Sequence, residues 1–198
     1  MENLNQQIRK NALTSGLILG LITLVLGIFS FYFITGMTTS FAMIIGGPII
    51  FSIIIPIVIV ILFCIDMRKK IGGYWIFKQA VTGIFIMFLV AYAVQTVGMN
   101  FIFAKVIEPN MVQKTQDAMT KATTAMLEKT GADQATIDSK IADVQKQFDS
   151  QKNVSIAKTI EGIAISIILM FVIALIFAAI FKKDPLRFDA TTEPDPTV

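Results

Sequence analysis

The sequence predicts an all-α polytopic membrane protein: four transmembrane helices, with an αα-hairpin between the third and the fourth. Three observations carry this. From Asn11 to Ile65 fifty-five residues run without a charged side chain, which no water-exposed surface of that extent does. Two more charge-free runs follow, Gln79–Ala104 and Gly162–Phe181. The stretch between those two is polar and rich in helix formers. A hydrocarbon core of about 30 Å takes roughly 20 helical residues to cross. The first run therefore holds two crossings and a turn, and each later run holds one.

The first span is expected over about Ala12–Ile34. It is too long for the 7–15-residue apolar region of a cleaved signal peptide. It is therefore expected to remain as a span, although Ser40-Phe41-Ala42 has the small residues of a cleavage site. Thr35-Gly-Met-Thr-Thr-Ser40 has the polar, glycine-containing composition of a tight connection. The second span, about Phe41–Ile65, holds eleven isoleucines, two valines, one leucine and three phenylalanines, a composition that favours insertion by several kcal/mol, at about 0.3–0.6 kcal/mol each. Pro48 either lies within it or opens a shorter helix. Pro56 lies inside on both readings and is expected to kink the helix. Asp66-Met-Arg-Lys-Lys70 ends this span. Gly72-Gly73 lacks the third glycine and the strand-to-helix setting of a dinucleotide loop. Tyr74 and Trp75 have the amphipathic rings that settle at headgroup level. The third span is expected over Gln79–Ala104, with Lys105 able to snorkel from its end. The fourth is expected over Ile160–Phe181, closed by Lys182-Lys183 and Pro185.

Glu108-Pro109 begins the polar element. Asn110–Lys129 reads as one helix. Gly131 suits a helix stop, and Asp133 a cap for the next helix. In that second helix Ile137, Ile141, Val144 and Phe148 fall on one stripe, and Met111, Ala118, Met119, Ala122 and Met126 offer a matching face. Asp117 and Lys121, four apart, are placed to pair. The stripe is a candidate partner face; its structural alternative is the packing of the two helices on each other. Residues 1–185 thus read as one four-span membrane domain. Within it 108–155 form an extracytoplasmic helical hairpin, and 186–198 a disordered cytoplasmic tail.

Charge sets the orientation. Arg9, Lys10, Arg68, Lys69, Lys70, Lys78, Lys182, Lys183 and Arg187 all fall on one side, while the loop between spans one and two has no basic residue. The bias places both termini in the cytoplasm. The net charge of +3 follows from this topology and needs no nucleic-acid partner. The chain has no histidine and one cysteine, Cys64, so an internal disulfide, a thiolate cluster and histidine-based acid/base or metal chemistry are excluded. No charged residue lies in any expected hydrocarbon core, so a proton relay or voltage sensor has no parts. Asp138, Asp143 and Asp149 lack the spacing of a calcium loop. A Ser–Lys pair using Lys105 or Lys158 is left open by the sequence. No enzyme, cofactor or metal site is expected.

Two intramembrane patterns remain. Ala12, Gly16, Gly20, Thr23, Gly27 and Ser30 lie within about 40° of one line on a helix. Gly16-x-x-x-Gly20 has the spacing that lets backbones approach closely in lipid. Gly16, Gly20 and Gly27 are therefore candidate helix-packing residues, against the chain's own third or fourth span or in a homo-oligomer. Tyr92, Gln95 and Asn100 on the third span are a candidate polar pathway or interhelical hydrogen bonds.

With Gly72-Gly73-Tyr74 and Phe77 before the third span, then Ile107-Glu-Pro109, helix–Gly131–helix and Phe181-Lys-Lys-Asp-Pro185, the chain resembles a bacterial family from about Lys10 to Pro185. This is the four-span inner-membrane family known as domain of unknown function number forty-one ninety-nine. The resemblance implies a Gram-negative inner membrane and a periplasmic hairpin, and transfers no catalytic residue. The reading of the sequence is a non-enzymatic interaction or assembly element in the lipid bilayer, with a membrane protein or a second copy as partner. The alternative is a small oligomeric transporter or channel subunit using Tyr92, Gln95 and Asn100, with Pro56 as hinge.

Overall fold

The computed structural model describes residues 3–152 and 155–184. It shows an all-α polytopic membrane protein with four helices long and apolar enough to cross a membrane. The tail expected over 186–198 and the last step of the connection into the fourth span lie outside the described residues.

The first span is α1 (Leu4–Tyr32), extended by a π-helical turn over Phe33–Met37. The second is one continuous rod made of α2 (Phe41–Ile49), a π-helical turn over Ile50–Ile54, and α3 (Ile55–Lys70). Pro48 lies within α2, so the longer of the two sequence readings holds. The third span is α4 (Phe77–Val97), which passes into π-helical turns over Gly98–Ile107. After Glu108 come α5 (Met111–Lys129) and α6 (Gln134–Lys152), then the fourth span, α7 (Ile156–Phe181).

Close approach of α1 and α4 organises the bundle. Gly16 faces Met87 and Val90, Gly20 faces Ala91 and Val94, and Leu24 faces Gly98. The numbers rise together, so the two helices run parallel. A methyl group on Gly16 would stand 2.7 Å from the carbonyl oxygen of Met87, and one on Gly20 2.7 Å from Cβ of Val94. Only glycine allows this spacing, and in lipid the contact surface it creates replaces the hydrophobic drive of water. The small-residue stripe of α1 is thus filled by the third span of the same chain. Against this pair pack α3, on α1, and α7, on α4.

α7 is buried only in its second half. From Ile156 to Ile165 every residue is exposed, and its buried contacts are at Ala174 and Ala178. The reason lies at the basic end of the bundle. Trp75 and Lys183 exchange backbone hydrogen bonds of 2.7 and 2.9 Å, and Nη1 of Arg68 donates to the carbonyl of Phe181 at 3.4 Å. These bonds tie the end of α7 to the loop between α3 and α4. That loop turns at Gly72 (φ 97°) and Gly73 (φ 85°), a backbone region open to glycine at no steric cost.

Trp75 does not present its ring to the surroundings as an interfacial aromatic would. It is wholly buried, while its neighbour Tyr74 stays exposed with Nζ of Lys183 5.8 Å from its ring. Gly83 leaves the space: a Cβ there would lie 2.8 Å from the indole. Nε1 of Trp75 is buried without a partner. That costs about 1–3 kcal/mol. Burying a ring of about 200 Å² returns roughly 5 kcal/mol, so packing wins.

α5 and α6 lie against each other, and α5 also covers the Phe33–Met37 turn and α2. The turn between them passes through Gly131 at φ 74°. Asp133 caps α6, its Oδ1 accepting from the backbone N–H of Thr136 at 3.0 Å. Hydrogen bonds from the Thr136 hydroxyl and N–H hold Asp133 below the ordinary carboxylate range. A depressed folded-state value adds stability that is present above the unfolded carboxylate range and is lost as pH falls through the lowered value. The first turn of α6 is therefore expected to keep its amide protection at neutral pH and lose it on acidification. In Asp133→Asn, which keeps a capping oxygen but no titrating group, protection should not change with pH. Hydrogen exchange at the amides of Ala135–Ile137 reads both.

Candidate functional site

Where the four spans converge, the chain leaves a cleft of about 460 Å³. α1 contributes Leu19 and Thr23, and the second span Phe51, Ser52, Pro56 and Val60. α4 adds Phe88, Ala91, Tyr92 and Gln95; Met170, Ile173 and Phe177 of α7 form the remaining wall. The lining is apolar with a few convergent polar groups, the usual composition of a small-molecule site.

Of the polar groups, only Thr23 is committed. The hydroxyl of Thr23 donates within its own helix, to the carbonyl of Gly20 at 3.1 Å. Tyr92, Gln95 and Ser52 make no side-chain hydrogen bond to any described residue. The backbone adds an acceptor. Across the π-helical turn the N–H of Ile55 donates to the carbonyl of Ile50, and Pro56 has no N–H. Pro56 therefore leaves one carbonyl of the preceding turn without its in-helix donor. π-helical turns of this kind recur at functional sites because they aim such groups out of the ladder.

The cleft is closed at one end. Towards the basic end lie the fully buried Cys64, Met67, Trp75, Ile84 and Met87, and beyond them the Trp75–Lys183 bridge. Away from that end the residues Ile156–Ile165 of α7 are all exposed.

The expected site residues divide accordingly. Tyr92 and Gln95 come together in the cleft, while Asn100 is exposed and lies outside its lining. Gly16 and Gly20 form the α1–α4 seam. Gly27 is looser, 3.5 Å from Sδ of Met99 for a Cβ placed there. Ile137 is buried, and Ile141, Val144 and Phe148 are half-buried, on the side of α6 that meets α5. Ala122 is buried on the facing helix, but Met126 is exposed and departs from the expected face. Ile137→Ala is expected to cost about 2 kcal/mol. It should appear as faster amide exchange along α6 while the spans keep their protection.

Asp117 pairs with neither Lys121 nor another cation among the described residues; it accepts from Nε2 of Gln113 at 3.0 Å. An ion pair with a well-buried partner joins Glu108 to Lys114, 2.8 Å apart, where the third span gives way to α5. Neither lysine weighed for a Ser–Lys pair is bonded to a serine through its ammonium. Lys105 lies 4.9 Å over the ring of Phe101, and the Ser155 hydroxyl caps α7 by accepting from the backbone N–H of Lys158 at 3.3 Å. Among the described residues no three His, Cys, Asp or Glu side chains gather as metal ligands.

Sequence reasoning missed the part of Ser52, Phe51 and Phe88. The available signal was the spacing of Ser52 and Pro56, four apart on one helix face, which puts a hydroxyl in the turn where Pro56 leaves a carbonyl without its donor.

No characterised protein and no solved structure matches the chain. Residues 14–183 match the model of a family described as "Protein of unknown function (DUF4199)". That stretch takes in most of α1 and everything from there to the end of α7, cleft included, so the chain belongs to the DUF4199 family.

Proposed function

We propose that this protein is a non-enzymatic interaction element of the bacterial inner membrane that works by holding a neutral amphiphile in its intramembrane cleft. The observation that carries the proposal is the cleft itself. All four spans line it, the side chains of Tyr92, Gln95 and Ser52 have no hydrogen-bond partner among the described residues, and it is blocked towards the basic end. A molecule with an apolar body and one hydroxyl or carbonyl group would satisfy those groups, which otherwise stand idle in a medium that cannot hydrogen-bond. A charged ligand fits poorly, because no ionisable side chain lines the cleft to compensate it.

The blocked end favours holding over conduction, since a pathway for transport needs an exit on each side. The absence of histidine from the sequence and the lack of any acid or base at the cleft support binding rather than catalysis. The basic residues at one end favour an orientation with both termini in the cytoplasm, which sets the α5–α6 pair in the periplasm.

The test is purification of the chain, tagged at its C-terminus, from native membranes in mild detergent, followed by mass spectrometry of the solvent-extracted and co-purifying species. A neutral lipid-like molecule retained in stoichiometric amount is the expected result. A stable protein partner with no such molecule would move the function to the α5–α6 pair. A bare homo-oligomer would return attention to flux through Tyr92 and Gln95.

A further inference from the structure

We propose that the pocket between the N-terminal turns of α1 and the first turn of α4 binds the phosphate group of an anionic phospholipid. The pocket, of about 420 Å³, is walled by Ile8 and Ile76 and lined by the polar side chains of Asn5, Arg9, Lys78 and Thr82. Packing of Ile8 beside Gly83 and Trp75 draws the two helix ends together, so Arg9 and Lys78 line one cavity from two different spans. Neither cation pairs with a carboxylate among the described residues, whereas Lys70, on the same side of the bundle, is held by Asp66 at 2.7 Å.

The backbone points the same way. α4 begins after Ile76, whose side chain has no acceptor, and Oε1 of the pocket residue Gln79 accepts from the N–H of Ile76 at 3.4 Å. The N–H groups of Phe77, Lys78 and Gln79 donate to no described acceptor. Two unpaired cations and a helix start therefore face one cavity, and all three favour an anion with several acceptor oxygens. The exposed side chain of Ile76, where α4 begins, supplies an apolar flank that suits the start of an acyl chain and gives nothing to a free ion. Basic pockets between spans recognise anionic headgroups in this way.

The site shares no residue with the cleft, so either can fail alone. The test uses the full chain in nanodiscs of phosphatidylcholine, with and without a minority of phosphatidylglycerol. Lipids retained on mild delipidation are counted by native mass spectrometry. Selective retention of phosphatidylglycerol is expected. At about 1 kcal/mol per cation, Arg9→Gln with Lys78→Gln should weaken it roughly thirtyfold, and each single change should fall between. Lys69→Gln with Lys182→Gln, which removes the same charge outside the pocket, should leave retention unchanged. Equal loss in both double variants would make the effect one of diffuse surface charge and overturn the pocket. Protection of the fold by inorganic phosphate in pure phosphatidylcholine, without retention of anionic lipid, would assign the site to a free ion and overturn the lipid. No selectivity at all would overturn both.

Discussion

Gly16→Leu together with Gly20→Leu is expected to part α1 from α4 and to lower the unfolding free energy by roughly 2–6 kcal/mol, on the scale of overpacking at two tight sites. The obstacle at Gly16 is backbone, the carbonyl of Met87, which no rotamer change can move; at Gly20 it is the Cβ of Val94, nearly as fixed. Because α7 rests on α4 and α3 on α1, the loss should spread to the whole bundle rather than stay local. Gly27→Leu is the internal control. Its nearest neighbour is the flexible thioether of Met99 at 3.5 Å, and methionine readily gives way. Thermal unfolding in one detergent, measured for the double and the control, decides it. If the two variants lose equally, the seam is not what holds the bundle.

The second large effect is on binding. Tyr92→Phe with Gln95→Leu is expected to weaken retention of the cleft's amphiphile by roughly ten- to hundredfold, at about 0.5–1.5 kcal/mol for each neutral hydrogen bond removed. The same variant should be as stable as the parent or more so. In the structure neither side chain has a partner to lose, and exchanging an unpaired polar group for an apolar one relieves a desolvation cost. The opposite pairing, lower stability with unchanged retention, would mean that these groups serve the fold. Quantitative lipid extraction from matched amounts of protein, alongside thermal unfolding, reads both at once. Asn100→Leu, outside the cleft, should change neither.

These two cases also mark how far the chain could be read without its structure. The small-residue stripe was legible because a helix has a fixed period, and Gly16 and Gly20 repeat at it. Its partner was not legible: spans three and four are both apolar, and composition does not distinguish their faces. Tyr92 and Gln95 stood out because polar residues in a span are costly. Their neighbours Phe51 and Ser52 did not, because they meet Tyr92 only when a second helix is set beside the first and a π-helical turn rotates it. Trp75 shows the limit from the other side. By residue type it belongs at the interface, yet a two-bond bridge to Lys183 and the gap above Gly83 bury it.

By itself the sequence determined the four spans, their order and the polar helices between the third and fourth. These follow from local quantities: charge-free length against bilayer thickness, and helix stops at Glu108-Pro109 and Gly131. The tertiary structure alone decided that α1 packs on α4 through Gly16 and Gly20 and that α7 is tied to the bundle at its C-terminal end. The cleft between them follows from both. Those outcomes rest on contacts between residues 74 to 113 positions apart, Gly16 with Val90 or Arg68 with Phe181. Such contacts depend on which apolar faces fit closest, and lipid, as apolar as the helices themselves, offers no hydrophobic gradient that would write the choice into composition.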